Sequence, residues 1–256
     1  MNLDLEHSVL VVTGGASGIG AACVRAAVHE GAHVVILDRD ANKTLAIVAE
    51  TASASRPAIF IETDVADEMS VRHAIDTVAK RFGRMDSLLL CAGISGPVGQ
   101  NLAQIASADW DRVMAVNVRG VFLCAKYALP LLSRSTLATI VLLASDSALF
   151  ASAGMTPYCA SKAAALMCAK GLCVDHPAIR VNSVCPSVVD TPMSRRDLGI
   201  GTGSFESLHI PVITADDVAR HVLFYASDVS APANGTTAVL DFGYAVRSSF
   251  PPIHFV

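Results

Sequence analysis

The sequence predicts an α/β fold built on a parallel β-sheet. Short apolar runs that are typical of strands alternate along the chain with longer segments of helical pattern. The runs are continuously apolar instead of alternating with polar residues, which indicates strands buried on both faces of a parallel sheet. No internal repeat, charge block or low-complexity linker interrupts the sequence. We therefore expect residues 1–256 to form a single domain.

The elements follow one another in a regular order. The predicted strands are Ser8–Thr13, His33–Asp38, Ala58–Glu62, Ser87–Cys91, Ala138–Ala144, Arg180–Val184 and Thr237–Leu240. The predicted helices are Ile19–Glu30, Asn42–Ser53, Glu68–Phe82, Asp109–Leu132, Tyr158–Asp175 and Ala215–Ala226. Thr214 and Asp217 form a Thr-x-x-Asp pattern similar to a capping box, which predicts the start of the last helix.

A glycine-rich turn follows the first predicted strand. Gly14, Gly18 and Gly20 lie between an apolar run and an alanine-rich helical segment. Glycines permit a tight turn and let backbone N–H groups approach a pyrophosphate at the helix N-terminus, although a purely structural turn has the same sequence pattern. Asp38 ends the second strand eighteen residues after Gly20 (38 − 20 = 18). Its carboxylate can accept hydrogen bonds from an adenosine ribose, so the pattern indicates a dinucleotide site.

A tyrosine and a lysine stand one helical turn apart in the predicted helix Tyr158–Asp175. Tyr158 and Lys162 are four residues apart, which places them on one helix face. A fixed cation beside a phenol favours the phenolate, so we expect the pKa of Tyr158 to lie below ~10. Tyr158 is then a candidate general acid or base toward an alcohol or ketone. Such a pair also arises by chance, so its meaning depends on the surrounding motifs.

The motifs together resemble those of the short-chain dehydrogenase/reductase family in their order and separation. They are Thr13-Gly14-x-x-x-Gly18-x-Gly20, Asp64-Val65, Ala92-Gly93, Asn117, Ser145 and Tyr158-x-x-x-Lys162. The resemblance extends from about Leu5 to Tyr244. It implies a single-domain, Rossmann-like, doubly wound fold in which helices cover both faces of a seven-stranded parallel sheet. It also implies assembly as a homotetramer or homodimer.

The resemblance implies a role for each matching residue. Tyr158 is expected to be the catalytic acid or base, and Lys162 its electrostatic partner and a ribose ligand. Ser145 is expected to orient the substrate oxygen, and Asn117 to anchor a water relay. The implied cofactor-binding residues are Gly14, Ser17, Gly18, Ile19, Gly20, Asp38, Arg39, Asp64, Val65, Ala92, Gly93, Tyr158, Lys162, Pro186, Val189 and Thr191. The residues expected to face the substrate are Ser95, Asp146, Ser147 and Met155, and no metal-binding residues are expected.

These residues predict an NAD(H)-dependent oxidoreductase that interconverts a secondary alcohol and its ketone. Asp38 would repel the 2′-phosphate of NADP, whereas Arg39 could capture that phosphate and leaves NADP or dual use open. Asp146 and Ser147 favour a polyol or sugar over an apolar substrate such as a steroid or cyclic ketone, although Asp146 could equally be a solvated or capping carboxylate. Two alternatives are an epimerase or dehydratase with the same fold, and a non-catalytic regulatory protein that binds the nucleotide.

The amino-acid composition limits the kinds of molecule and surface that we expect the protein to bind. The net charge is −4 and there is no run of Lys or Arg, so we expect no nucleic-acid or membrane-surface partner. The seven cysteines are scattered without a Cys-x-x-Cys motif, which indicates free thiols. The first residues lack a basic segment followed by an apolar core, and the strand-like apolar runs are shorter than the ~18 residues of a membrane span. A soluble cytoplasmic protein is therefore expected.

Two segments and three replacements depart from the regular pattern. The irregular stretch 192–211 could be a linker, but the resemblance favours a substrate lid. The apolar C-terminal tail, 245–256, is expected to pack on a neighbouring subunit or over the mouth of the active site. Cys91, Ser187 and Phe242 replace residues that are usual in the family. Phe242 adds bulk near an expected subunit interface.

Overall fold

The computed structural model describes residues 3–208 and 210–246. Numbered in chain order, the strands are β1 Val9–Thr13, β2 His33–Asp38, β3 Ile59–Glu62, β4 Ser87–Leu90, β5 Thr139–Leu143, β6 Arg180–Pro186, β7 Val189–Asp190, β8 Ile213–Thr214 and β9 Thr237–Leu240. The helices are α1 Gly18–His29, α2 Ala41–Glu50, α3 Glu68–Phe82, α4 Ser107–Met114, α5 Gly120–Leu132, α6 Thr156–Asp175, α7 Pro192–Asp197 and α8 Ala215–Ala226.

Seven of these strands form one parallel sheet in the order β3-β2-β1-β4-β5-β6-β9. This confirms the predicted seven-stranded doubly wound sheet, and every predicted strand of that sheet is present. The strand order reverses at β1, which pairs with β2 on one side and with β4 on the other. In such sheets the carboxyl ends of the strands at the reversal open a crevice that binds ligands.

The alternation of side chains along the central strands explains the continuous apolar runs. In β1, Val9 and Val11 face a core cluster shared with α3, α5 and α6. Leu10 and Val12 face a second cluster shared with α1 and α8 on the opposite side. Both faces of the strand are therefore apolar, because successive side chains point to opposite faces and each face is covered by helices.

Polar side chains mark several helix ends. The Lys43 N–H donates to Asp40 at the start of α2, and the Met69 N–H donates to Asp67 at the start of α3. The Asp217 N–H donates to the Thr214 hydroxyl at 3.1 Å, which confirms the predicted cap of α8. Each cap satisfies one of the amide groups that a helix leaves without an intrahelical partner.

Two regions differ from the elements expected from sequence. The predicted helix Asp109–Leu132 is a continuous helical stretch, but a π-helical turn over Ala115–Arg119 separates α4 from α5. The stretch 192–211 was expected to be irregular, yet it contains α7 and a 3₁₀ turn at Phe205–Leu208. Strands β7 and β8 pair with each other at the base of this stretch. They were not expected, because two-residue strands have no periodicity to detect.

Among the described residues, one helical stretch is long and apolar enough, by length and composition, to span a membrane. It runs from Ser107 to Leu132, and half of its most apolar part is buried inside the domain. The buried side chains of α5, which include Leu123 and Leu132, belong to the core cluster beneath the sheet. Of the predicted tail 245–256, residues 247–256 lie outside the described part of the chain.

Asp86 joins three strands at the amino edge of the sheet. Its buried carboxylate accepts a hydrogen bond from the Val9 N–H at 2.6 Å, one from Arg84 Nε at 3.1 Å, and one from the Ser135 hydroxyl. The Asp86 carbonyl oxygen also accepts the Thr139 N–H at the start of β5. Asp86 therefore ties the starts of β1, β4 and β5 together, at the edge of the sheet opposite to the crevice.

We expect Asp86→Ala to lower the free energy of unfolding by about 2–4 kcal/mol, because it leaves the buried Val9 N–H and the Ser135 hydroxyl without their acceptor. Urea unfolding followed by circular dichroism measures this. Asp86→Asn keeps the shape and one acceptor oxygen, so its loss should be smaller. Equal stability of Asp86→Ala and the parent protein would contradict the role of Asp86.

Candidate active site

A cavity of about 620 Å³ opens at the carboxyl edge of the sheet. It is lined by the segments that follow β1, β2, β3, β4, β5 and β6, so it occupies the crevice at the strand-order reversal. Every site residue predicted from the sequence lines this cavity except Asn117. The sequence motifs, which are spread over most of the chain, therefore meet at one place.

The glycine turn forms the floor of one end of the cavity. Gly14 and Gly18 have positive φ angles of 69° and 53°. A Cβ atom on Gly20 would lie 2.1 Å from the Gly14 carbonyl oxygen, and one on Gly14 would lie 2.7 Å from Ala92 Cα. Because these neighbours are backbone atoms, no side-chain movement could relieve the clash. The turn thus lies in close backbone contact with α1 on one side and with the residues after β4 on the other, which larger residues would prevent.

The start of α1 points into the cavity. Ser17 is the N-cap residue but makes no side-chain capping hydrogen bond within the described part of the chain, and Ser17 through Gly20 line the cavity. The first N–H groups of a helix favour an anion, and glycine leaves room for it to approach. The site therefore fits the pyrophosphate of a dinucleotide, with the backbone of residues 17–20 as its binding group.

Asp38 is held rigidly at the end of β2. Its Oδ2 atom accepts the Ala16 N–H at 3.0 Å, and its Oδ1 atom accepts the Asp40 N–H at 2.9 Å. These bonds fix the carboxylate beside the glycine turn, where it lines the cavity. Arg39 and Lys43 line the cavity as well, and Lys43 forms an ion pair of 2.7 Å with Asp40.

Thr13 connects the glycine turn to the residues that follow β4. The Thr13 hydroxyl is buried and accepts the N–H groups of Cys91 and Ala92 at 3.1 and 3.2 Å. Cys91, one of the replacements noted in the sequence, lies against the buried Cys23 of α1. A hydrogen bond with Cys91, together with burial, raises the pKa of the Cys23 thiol well above its usual range.

Ser145, Tyr158 and Lys162 lie together at the other end of the cavity. Ser145 follows β5, and its hydroxyl accepts the Ser147 N–H at 3.2 Å and donates to Asp146 Oδ1 at 3.0 Å. Lys162 Nζ donates to the Leu143 carbonyl oxygen at 2.9 Å and lies 5.6 Å from the centre of the Tyr158 ring. The helix α6 and the end of β5 thus bring the three polar groups to one wall.

Burial shifts the pKa values of both Tyr158 and Lys162. For Tyr158 the shift is opposite to the sequence expectation. The pKa of Tyr158 is raised to about 12, mainly by burial and in smaller part by the charges of Asp146 and Asp197, while an interaction with the Ser145 hydroxyl opposes the rise. Burial lowers the pKa of Lys162 to about 8. The expectation that Lys162 would lower the pKa of Tyr158 is therefore wrong for this structure, because the loss of hydration outweighs the neighbouring cation.

Asn117 lies behind the cavity wall, in the π-helical turn. Its Oδ1 atom accepts the Ile94 N–H at 2.9 Å, and its Nδ2 atom donates to the Ile94 carbonyl oxygen at 2.8 Å and to Ser161 Oγ at 2.9 Å. A Cβ atom on Gly93 would lie 3.4 Å from both Asn117 Oδ1 and Lys162 Nζ, so the two side chains flank this glycine. The role of Asn117 in a water relay stays a prediction.

The substrate side of the cavity combines polar and apolar groups. The four predicted substrate residues line it: Ser95, Asp146, Ser147 and Met155. Met193, Asp197 and Leu198 also line it and belong to the stretch 192–211 that was predicted as a substrate lid, whereas Phe150, Ser152 and Tyr244 had no sequence motif to mark them. They come from the turn after Ser145, from α7 and from the segment after β9, whose positions depend on tertiary packing.

Known proteins resemble this chain over nearly its whole length. The profile of the family described as short chain dehydrogenase matches residues 8–198. The mitochondrial borneol dehydrogenase of Lavandula x intermedia is 35% identical over 246 residues, covering 95% of this chain and 93% of that protein. An aldohexose dehydrogenase structure from Thermoplasma acidophilum has a TM-score of 0.86 at 28% identity, covering 98% and 99% of the two chains. The structure of ElxO with NADP bound has a TM-score of 0.85 at 28% identity, covering 94% and 100%.

The depressed pKa of Lys162 predicts a specific dependence of stability on pH. Between its folded value of about 8 and its ordinary value of 10.5, the unfolded chain holds more protons than the folded one. Stability should therefore rise with pH in this window, by about 1.4 kcal/mol per unit. The free energy of unfolding of the parent minus that of Lys162→Met, from urea unfolding across the window, should increase accordingly. A difference that stays constant with pH would contradict the burial of a titrating Lys162.

Proposed function

Because this chain belongs to the short-chain dehydrogenase/reductase family, we propose that it is an NAD(H)-dependent oxidoreductase that interconverts a secondary alcohol and its ketone. The observation that carries this proposal is the convergence of Ser145, Tyr158 and Lys162 on one wall of a cavity whose opposite end is a glycine turn and a helix N-terminus. Such a cavity can hold a dinucleotide along its length and a small substrate at the tyrosine.

The residues at the tyrosine end account for the proton chemistry. When bound, a nicotinamide cofactor supplies or accepts the hydride. In ketone reduction Tyr158 Oη donates a proton to the carbonyl oxygen, which Ser145 Oγ orients by a hydrogen bond. In alcohol oxidation the deprotonated Tyr158 Oη accepts the hydroxyl proton. The positive charge of Lys162 beside the ring offsets the negative charge of the deprotonated phenol, and Asn117 and Lys162 relay the proton between Tyr158 and solvent.

The raised pKa of Tyr158 supports a protonated phenol at rest. A phenol with a pKa of about 12 stays protonated at neutral pH, which is the form that donates to a ketone. Alcohol oxidation needs the deprotonated form, so its rate should increase with pH more steeply than that of ketone reduction.

The charge next to the glycine turn supports NAD over NADP. The Asp38 carboxylate is fixed by two backbone N–H groups and cannot swing away from a 2′-phosphate without breaking them. It would repel that phosphate and accept hydrogen bonds from the free 2′-hydroxyl of NAD. Arg39 is exposed beside it and is the residue that could favour NADP.

We also propose that the protein is cytoplasmic, assembles as a homodimer or homotetramer, and has neither nucleic acid nor a membrane as partner. Exposed apolar side chains on two neighbouring helices support an assembly: Phe122 lies on α5, and Met167 and Val174 lie on α6. Phe242 is exposed too, so it does not fill the interior of the subunit. The negative net charge of −4 supports the absence of polyanionic partners.

The segment 192–211 is proposed as the substrate lid, since α7 lines the cavity.

We expect Tyr158→Phe to lower kcat by a factor on the order of 10² or more, because only the proton-transfer hydroxyl is lost. The phenylalanine ring fills the same space, so the melting temperature and the Kd for NAD should change little. Steady-state kinetics with the best alcohol, together with calorimetric titration of NAD, test this. A variant that keeps most of its activity would show that another group transfers the proton.

Cofactor choice is tested by comparing kcat/KM for NAD and NADP. We expect the parent protein to favour NAD by at least ~10-fold, which is about 1.4 kcal/mol. Asp38→Asn should reduce this ratio, because it removes the charge and keeps the size of the side chain. Glu62→Gln is the matched control, since Glu62 lies directly beside Asp38 on β3 but outside the cavity. An equal kcat/KM for NAD and NADP in the parent would instead indicate that Arg39 controls the cofactor preference.

A further inference from the structure

Two neighbouring arginines hold two aspartates near the cavity, but they do so differently. Arg195 binds Asp190 with two parallel hydrogen bonds, from Nε to Oδ1 at 2.5 Å and from Nη2 to Oδ2 at 2.7 Å. Arg196 binds Asp197 through one oxygen only, with Nε at 2.9 Å and Nη2 at 2.7 Å from Oδ1. Within the described part of the chain, Asp197 Oδ2 therefore has no hydrogen-bond partner.

The two aspartates also differ in what they face. Asp197 lines the cavity, whereas Asp190 does not. The Asp197 side chain is only 13% exposed, so little of it is open to solvent. Arg196 fixes it there, because Arg196 Nη2 also donates to Ser95 Oγ at 2.8 Å, and Ser95 is buried. A carboxylate oxygen in such a place is stabilised when a ligand donates a hydrogen bond to it.

Asp197 lines the same cavity as the reacting groups Ser145 and Tyr158. Its charge and that of Asp146 both act on the Tyr158 phenol. Asp146 uses Oδ1 to accept the hydroxyl hydrogens of Ser145 at 3.0 Å and Ser147 at 3.4 Å. Ser145 and Tyr158 can therefore bind one oxygen of a substrate in the cavity, and the Asp197 carboxylate can accept a hydrogen bond from another.

The apolar residues of the cavity limit the kind of carbon skeleton that can carry these substrate oxygens. Phe150, Met155 and Met193 also line the cavity and suit a carbon skeleton. Because Arg196 already balances the charge of Asp197, the free oxygen suits a neutral donor such as a hydroxyl. A substrate of this kind has one hydroxyl to react and another to be bound.

We propose that Asp197 is a specificity-determining residue that accepts a hydrogen bond from a second substrate hydroxyl, so that the preferred substrate is a diol on an apolar skeleton. This rests on the proposed oxidoreductase function. Sites built to hydrogen-bond a substrate hydroxyl discriminate strongly against analogues that lack it, because the buried acceptor is then left unpaired. The diol preference should therefore be large and should depend on Asp197.

The experiment compares diols with matched mono-alcohols: cyclohexane-1,2-diol with cyclohexanol, and butane-2,3-diol with butan-2-ol. Initial rates of NAD reduction give kcat/KM for each alcohol. We expect the parent enzyme to favour the diols by at least ~10-fold. Asp197→Ala should reduce this preference at least ~10-fold, mainly through a higher KM for the diol, and Asp197→Asn should retain part of it, because the amide oxygen can still accept.

Asp190→Ala is the matched control. This substitution removes an aspartate that precedes α7 and does not line the cavity. The diol preference of the variant should therefore stay within about 2-fold of that of the parent. Equal loss in both variants would show that Asp197 acts only by holding α7, and an unchanged preference in Asp197→Ala would overturn the proposal directly. Turnover of mono-alcohols as fast as diols by the parent overturns the diol assignment alone. Failure of every alcohol to reduce NAD overturns the proposed function as well.

Discussion

The backbone contact between the glycine turn and the end of β4 is the constraint on which the site depends. A Cβ atom on Gly14 would meet Ala92 Cα at 2.7 Å, and one on Gly20 would meet the Gly14 carbonyl oxygen at 2.1 Å. Without side chains there, α1 begins directly beside the sheet and its first amide groups face the cavity. Thr13 adds hydrogen bonds to the residues after β4. The strand-order reversal thus becomes an open crevice instead of a filled core.

Burial, more than the spacing of charged residues, controls the proton chemistry at the other end. It raises the pKa of Tyr158 and lowers that of Lys162, so each charge alone is disfavoured. The ammonium group donates to the Leu143 carbonyl oxygen instead of to the phenol. Lys162 therefore matters most when Tyr158 has lost its proton, because a phenolate and an ammonium offset each other in a medium that screens charge poorly.

The sequence was sufficient for the sheet and for the glycine turn that lines one end of the cavity, because both depend on local patterns. Continuous apolar runs predicted the strands, and residues at strand ends converge by necessity in a parallel sheet. What could not be predicted depends on distant packing. The position of Asn117 behind the wall follows from a π-helical turn, and the pKa of Tyr158 follows from burial by several elements. No pattern of residues distinguishes Asp197 from Asp190 before the chain is folded.

Asp190 and Asp197 show that an arginine–aspartate ion pair can serve either the structure or the specificity of the site. Each aspartate pairs with an arginine of α7, but Asp190 uses both oxygens in a bidentate pair, which leaves neither oxygen without a partner. Asp197 shares one oxygen between two guanidinium nitrogens, because Arg196 must also reach Ser95 across the cavity wall. The geometry that fastens α7 to the residues after β4 is thus the same geometry that leaves an acceptor facing the substrate. Fixing the segment and recognising a hydroxyl are therefore coupled in a single contact.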